Sequence, residues 1–419
     1  MYLEKGMGAK KKLEKKSFKH LKREVIDVGL CVKCGICAGV CPEEVIALSG
    51  QEQEPRLVGK CRGTCELGAC YHSCPGRYIP IPEMEKMVFG RARNLENQTE
   101  YLMGITDGFF AAHATDSMTR IQGASGGTAT ALLGYLLDKQ IVDALLVAGF
   151  REDKPWITEP KIITEKKDLL NWQGSVYTRV PMGKLLNRMV KSGFKKIGVI
   201  GLPCFIHGLR KIQLHNFPAG LGEKIAFVMG LICGTSCTVE GLFHVLREWI
   251  GIEAEEIERL NFRGGEWPGS LVIHTRDGRT FAIPKGEYWD RFLVTMFRAG
   301  RCMRCWDFVG DLADLCLGDF WGAPRSTEED KTGWNAVIIK TLLGRSLVEG
   351  ATSDKYVKLE PMPIKHIFDM PGWELKKHSN SYFMAVRRRC GEPIPDYGYE
   401  TDSYLKPLPS QRQVYTPRN

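Results

Sequence analysis

Apolar runs in this chain are short. The two best, at residues 144–150 and 225–233, have the length of a buried strand and fall far short of the ~18 consecutive apolar residues that a membrane helix needs. Between them the period changes. Residues 128–138 place apolar side chains on one helical face directly after a glycine-rich turn, and residues 141–147 then read as a buried strand. The alternation continues with a helix around 183–191 and strands at 196–200 and 225–231, which predicts an α/β core. Both later strands end on chemistry. Gly201-Leu-Pro203-Cys204 puts a cysteine just past one strand, and the other delivers Cys233 and Cys237, at the strand ends where open α/β sheets bind their ligands.

The flanks have a different pattern. Residues 1–23 interleave Lys10, Lys11, Lys12, Lys15, Lys16, Lys19, Lys22 and Arg23 with Leu13, Phe18 and Leu21, as a basic amphipathic helix does. Residues 91–100 are polar and read as a linker or an exposed helix. Pro393, Pro395, Pro407, Pro409 and Pro417 predict an extended tail that packs on the body or on a partner.

Cysteine changes the picture most. The run Cys31, Cys34, Cys37, Cys41-Pro42 has bacterial ferredoxin spacing, in which three thiolates hold one 4Fe-4S cube and the fourth reaches another. A second, looser run follows, Cys61, Cys65, Cys70 and Cys74-Pro75. The pattern implies crossed ligation, with Cys31, Cys34, Cys37 and Cys74 on one cube and Cys61, Cys65, Cys70 and Cys41 on the other. Zinc knuckles pair two C-x2-C halves, and secreted frameworks pair cysteines as disulfides; this spacing argues against both. Such a segment has little hydrophobic core and folds around its inorganic groups.

Fifteen cysteines in this arrangement predict a reducing, cytoplasmic setting and oxygen sensitivity. The N-terminal lysines are not followed by an apolar signal core. The formal charge of +9 is modest for 419 residues and sits largely at 1–23. With no zinc finger, helix-turn-helix or stacking platform beside it, that charge predicts a solvated or partner-docking arm and no nucleic acid.

Two weaker signals remain. In Gly123-Ala-Ser125-Gly126-Gly127-Thr128 the glycines let helix-start amides approach an anion; the turn is neither a dinucleotide fingerprint nor a P-loop, and simple capping explains it equally well. Cys204, Cys233, Cys237, the Cys302-x2-Cys305 pair and Cys316 could each be a buried thiol, but two cysteines at strand ends plus a C-x2-C point to a third four-cysteine cluster. Cys390 reads as structural.

Several passages together resemble the family of coenzyme F420 hydrogenase and dehydrogenase β subunits, which are flavoproteins. The marks are Gly123 to Gly127 with Ala131-Leu-Leu, Gly174-Ser175-Val-Tyr177, Leu202-Pro203-Cys204, Cys302-x2-Cys305-x-Asp307, Gly318-Asp319-x-Trp321-Gly322 and Gly333-Trp334-Asn335. The resemblance implies an α/β flavoprotein domain at 100–385, after a basic arm at 1–27 and an α+β bacterial ferredoxin-like domain at 28–85, with a tail at 386–419. It also implies FAD at Gly123, Ser125, Gly126, Gly127 and Thr128 and at Gly174, Ser175, Tyr177 and Arg179. Beside the flavin it implies a 4Fe-4S cluster on Cys204, Cys302 and Cys305, with Cys233 matching better than Cys237 although the two could exchange, and Cys316 where relatives often have serine. Lys285 falls near a Pro-x-Lys stretch that could approach the acidic deazaflavin; a lone lysine at a strand end is more often solvated.

These parts form a circuit. Coenzyme F420, as substrate, carries hydride, clusters carry single electrons, and FAD exchanges both, so no side chain need act as covalent catalyst. The expected function is an oxidoreductase subunit with three 4Fe-4S clusters and FAD, exchanging electrons with a hydrogenase, formate dehydrogenase or heterodisulfide reductase type of partner. The alternatives are a ferredoxin-dependent reductase of a small molecule and a pure electron relay.

Overall fold

The apolar runs at 144–150 and 225–231 become neighbours of one central strand. The computed structural model describes residues 13–400 except 64, 66, 322–330 and 369–374. Its strands are β1 (Ile46–Ser49), β2 (Glu54–Leu57), β3 (Gly108–Ala114), β4 (Ala144–Phe150), β5 (Thr158–Ile163), β6 (Ile197–Gly201) and β7 (Ile225–Leu231). There follow β8 (Ile257–Gly264), β9 (Ser270–Thr275), β10 (Thr280–Pro284), β11 (Leu315–Asp319), β12 (Asn335–Ile339) and β13 (Val357–Pro361).

Eight strands form the main sheet, in the order β13-β3-β12-β11-β7-β6-β4-β5. Within it β4, β6, β7 and β11 run parallel, while β5, β12 and β13 pair antiparallel with their neighbours. Strand β4 is apolar along its length because both of its faces are covered. Ala144 and Leu146 join the core under the helix Pro203–His215, and Leu145 and Val147 join the core under the helices Thr128–Asp138 and Leu342–Ser353.

A second sheet is absent from the sequence expectations. Strands β10-β9-β8 pair antiparallel and, with the helical segment Gly286–Leu293, enclose Phe262, Ile273, Tyr288 and Leu293. Burial alternates along β9 and β10 and is irregular along β8, so these strands lack the continuous apolar runs that mark β4 and β7.

The ferredoxin-like part contains the β1–β2 hairpin and two one-turn helices, Ile36–Gly39 and Ala69–His72. It does not stand apart. Ile36 and Val40 share a core with Leu186, Phe205 and Leu209, and the Gly183 amide donates to the Cys34 carbonyl at 2.7 Å. Contact is so close at Gly39 that an added Cβ would lie 1.7 Å from the Gly183 oxygen.

The arm is likewise drawn in. Phe18, Leu21 and Val25 are buried in one cluster with Cys37, Cys41 and Cys70, so the expected division at residue 27 runs through this small core. Lys10, Lys11 and Lys12 lie outside the described residues, as do Gly322 and the tail beyond 400. Segment 91–100 is not a plain linker, because Arg93 is buried between Glu85 at 2.6 Å and Asp311 at 2.9 Å. The described tail packs on the body: the Ile79 amide donates to Asp396 at 2.7 Å and Tyr397 is buried, whereas Cys390 is exposed.

Candidate functional site

A cavity of about 600 Å³ lies across the carboxyl ends of β4, β6, β7 and β11, lined there by Val147, Ile200, Leu231 and Asp319. Opposite stands the glycine turn. Gly126 and Gly127 have φ of +64° and +70°, a left-handed conformation that side chains disfavour, and Gly127 packs so tightly that a Cβ would meet the Thr119 oxygen at 2.3 Å. Part of the expected anion-binding capacity is already used. The Gly126 amide donates to the Thr332 carbonyl at 2.8 Å, the Thr128 amide to Asn335 Oδ1 at 3.2 Å, and Ser125 Oγ to the Trp334 carbonyl at 2.7 Å. The rest of the first turn has no intrahelical acceptor, and both of its residues, Ala129 and Thr130, line the cavity.

Gly123, Ser125, Gly127, Thr128, Gly174, Ser175, Tyr177, Arg179 and Lys285 all reach this cavity; Gly126 supports it from behind against Gly333. Tyr177 is half-buried in the wall, where desolvation pushes its phenol up to about 12, and its ring stacks on Trp289 with centroids 4.0 Å apart. Its hydroxyl accepts from Arg263, whose guanidinium also bonds Asp319 at 2.9 Å and the Ala124 carbonyl at 3.1 Å. Lys285 pairs with Asp290 at 2.9 Å and lies 5.1 Å from the Trp321 ring. Three buried polar atoms on lining residues, Thr128 Oγ1, Gln173 Oε1 and Thr178 Oγ1, have no hydrogen-bond partner among the described residues. Buried polar atoms are nearly always bonded, so these fit a polar cofactor in the cavity.

The same cavity is lined by Cys204, Cys233, Cys302 and Cys305. Cys204 sits in the first turn of the helix that follows β6, Cys233 follows β7 with its amide on the Phe308 carbonyl at 2.9 Å, and the other two flank one turn. Burial, then Cys305 and Cys302, push the Cys204 thiol up to about 11. Burial also works against ionising Cys302, but the Arg179 and Lys376 cations outweigh it and bring that thiol to about 7. Lys376 is buried, which opposes its charge, yet Cys305, Cys233, Cys302 and Cys204 hold its pKa above the ordinary lysine range. Cys237 points elsewhere: its thiol donates to the Tyr177 carbonyl at 3.4 Å inside the β8–β10 core. Cys316 is buried on β11, outside the lining.

In the ferredoxin-like part, burial raises the Cys37 thiol first, then Cys31, Cys34 and Cys74. For Cys70, burial comes first and Cys65, Cys41 and Cys61 follow. The strongest neighbours are those that crossed ligation would group, and the two sets adjoin, since Cys70 also raises the Cys37 thiol and Cys74 also raises the Cys70 thiol. Among the described residues, no three Cys, His, Asp or Glu side chains converge as ligands of one ion do. A 4Fe-4S cube spreads its four thiolates farther apart, each on its own iron.

Three family models match this chain. Residues 109–187 match "Coenzyme F420 hydrogenase/dehydrogenase, beta subunit N-term", 194–365 match the model for the C terminus of that same beta subunit, and 24–47 match "4Fe-4S binding domain". The first two cover more than half of the chain. It belongs to the family of coenzyme F420 hydrogenase/dehydrogenase β subunits.

Relatives of this β-subunit type include a coenzyme F420-dependent sulfite reductase of Methanocaldococcus jannaschii, 26% identical over 377 residues. The match covers 86% of this chain and 52% of that protein, so the chain spans about half the length of that relative. One subunit of an F(420)H(2) dehydrogenase from Methanosarcina mazei is 24% identical, with 81% of this chain and 87% of that one covered. A chain of the F420-reducing NiFe hydrogenase complex from Methanosarcina barkeri superposes with a TM-score of 0.57 at 24% identity, covering 71% of this chain and 97% of its own, which shows the shared fold. The chain is an iron-sulfur oxidoreductase of the β-subunit type with an N-terminal ferredoxin-like region. Among the described residues, no helix is long and apolar enough to cross a membrane.

Arg263, Lys376, Gln173 and Thr178 were not singled out from the sequence. An arginine in an amphipathic strand and a lysine beside another lysine look like solvated charges until the fold buries them.

Proposed function

We propose that this member of the family moves a hydride between coenzyme F420 and FAD, and single electrons through three 4Fe-4S clusters to or from a partner redox subunit. The supporting observation is one cavity that joins the glycine turn and the Gly174 to Arg179 loop to four cysteines and touches Cys34 of the ferredoxin-like part. A flavin bound there would exchange hydride on one side and single electrons on the other.

The protein's own residues do the rest. Amides of the first helical turn receive a phosphate, and Thr128, Gln173 and Thr178 supply the polar contacts. Lys285, held by Asp290 and Trp321, meets the acidic deazaflavin at the cavity. Cys204, Cys233, Cys302 and Cys305 hold the cluster nearest the flavin, and Arg179 and Lys376 supply positive charge beside it, which favours its reduced state. Cys31, Cys34, Cys37 and Cys74 hold the next cluster, and Cys41, Cys61, Cys65 and Cys70 the last.

The test is anaerobic iron, sulfide and flavin analysis with parallel titrations by reduced coenzyme F420, NADH and NADPH. About twelve irons and one FAD, bleached by reduced coenzyme F420 alone, are expected. About eight irons would remove the Cys204 cluster, and bleaching by a nicotinamide would replace the hydride donor. A second reading, delivery of electrons to a reductase of a small oxyanion, is favoured by the relative whose match takes in 86% of this chain.

A further inference from the structure

The loop ahead of the first ferredoxin cysteine is gripped from the flavin side. The Gly29 carbonyl accepts from Arg304 Nη1 at 3.1 Å, the Leu30 carbonyl from Arg301 Nε at 3.2 Å, and the Cys31 carbonyl from Arg179 Nη1 at 3.4 Å. Three consecutive carbonyls therefore each take an N–H from a different guanidinium. All three arginines belong to the surroundings of the other cysteine set. Arg301 and Arg304 lie in the Cys302 to Cys305 turn, and Arg179 also directs Nη2 at Cys302 Sγ, 3.9 Å away.

The grip is rigid. Arg301 is buried, and its remaining nitrogens bond the Arg304 carbonyl at 2.6 Å and the Tyr397 hydroxyl at 3.3 Å. From the same side the Gly183 amide holds the Cys34 carbonyl at 2.7 Å, and Cys204 is among the charges felt by the Cys34 thiol. Cys41, Cys61, Cys65 and Cys70 face away, toward Phe18, Val45 and Ile46. A planar, permanently charged fork suits this task, because it can bond a carbonyl with one arm and a thiolate with the other.

We propose that Arg179 is the positioning residue of an intercluster clamp, completed by Arg301 and Arg304. The clamp makes Cys31, Cys34, Cys37 and Cys74 the obligatory neighbours of Cys204, Cys233, Cys302 and Cys305. Electrons then reach the Cys41 set only afterwards. The clamp rests on the cluster assignment proposed above. Each transfer oxidises one set by a single electron and reduces the next by one, with no bond made or broken and no proton moved. Because tunnelling falls steeply with distance, holding the two sets in one fixed approach is what the clamp contributes.

The test uses the full-length holoprotein with Arg179→Met, which keeps bulk and removes the fork, and Arg179→Lys, which keeps the charge. Freeze-quench paramagnetic resonance follows mixing with reduced coenzyme F420, and spectra of fully dithionite-reduced protein read the magnetic coupling between adjacent clusters. Arg179→Met is expected to weaken that coupling and to slow reduction of the ferredoxin clusters about tenfold relative to flavin bleaching in the same variant. Arg179→Lys is expected to recover part of both. Coupling and rate equal to wild type at full iron content would overturn the clamp. Iron well below twelve in the wild type would instead refute the cluster assignment. If Arg179→Met loses iron, Arg304→Met carries the same test, with a smaller slowing expected and no change overturning the clamp.

Discussion

Arg263 holds three elements of the cavity wall together, so replacing it by methionine tests the whole arrangement. Its side chain is 3% exposed; it bonds Asp319 on β11 at 2.9 Å, the Tyr177 hydroxyl at 3.1 Å, the Ala124 carbonyl at 3.1 Å and the Pro268 carbonyl. Methionine keeps most of the volume and removes every one of these bonds. Breaking a buried ion pair from one side costs about 3–5 kcal/mol, because the surviving charge is left unpaired. Asp319 keeps 20% of its side-chain surface in water, which places the cost near the lower end. With an unfolding entropy of about 2.1 cal/mol/K per residue, about 3 kcal/mol lowers the melting temperature of a chain this long by about 3–4 °C. The glycine turn and the Tyr177 loop also lose their common tie, so flavin is released more readily. Calorimetric melting of the holoprotein and flavin retention after filtration read the two effects. Adding Asp319→Asn removes the stranded carboxylate and is expected to restore about half of the stability. A melting temperature within about 1 °C of wild type, or a loss that Asp319→Asn does not lessen, would refute the reasoning.

Three further outcomes are expected. Cys305→Ala removes about four irons while Cys237→Ala leaves iron content intact; equal losses would show that the lining of the cavity does not choose the ligands. Gly39→Ala places a methyl 1.7 Å from the Gly183 oxygen and is expected to shift the urea midpoint by the equivalent of 1–3 kcal/mol, about the cost of overpacking a core; an unchanged midpoint would mean that the ferredoxin-like part packs otherwise. Burial, then Lys211 and His72, lower the His215 pKa from 6.5 to about 4. Between those values the unfolded chain binds a proton that the fold does not, so stability is present above pH 6.5 and lost as the pH falls toward 4. His215→Gln is expected to shrink the difference in melting temperature between pH 7 and pH 5, and an undiminished difference would exclude this group.

The ferredoxin-like region was legible because its signature is local: the Cys31 to Cys41 spacing is read directly along the chain, and the 4Fe-4S binding match falls on residues 24–47. The parallel strands β4, β6 and β7 were legible for a related reason, since strands buried on both faces must be apolar throughout. The glycine turn reads as a helix start and does open the helix Thr128–Asp138, but how many of its amides remain free depends on Thr332 and Asn335, some two hundred residues away.

Everything that joins the parts was settled by tertiary structure. Cys204, Cys233 and the Cys302 to Cys305 turn share a cavity because three separate connections end at one edge of the sheet. Cys233 lines that cavity while Cys237 falls inside the β8–β10 core, a difference that spacing along the chain does not show. Arg93, Arg263 and Lys376 look like ordinary surface cations in sequence, where charge carries no sign of burial. Only the fold, by surrounding each with carboxylates or thiols from distant segments, turns them into structural and electrostatic parts of the site.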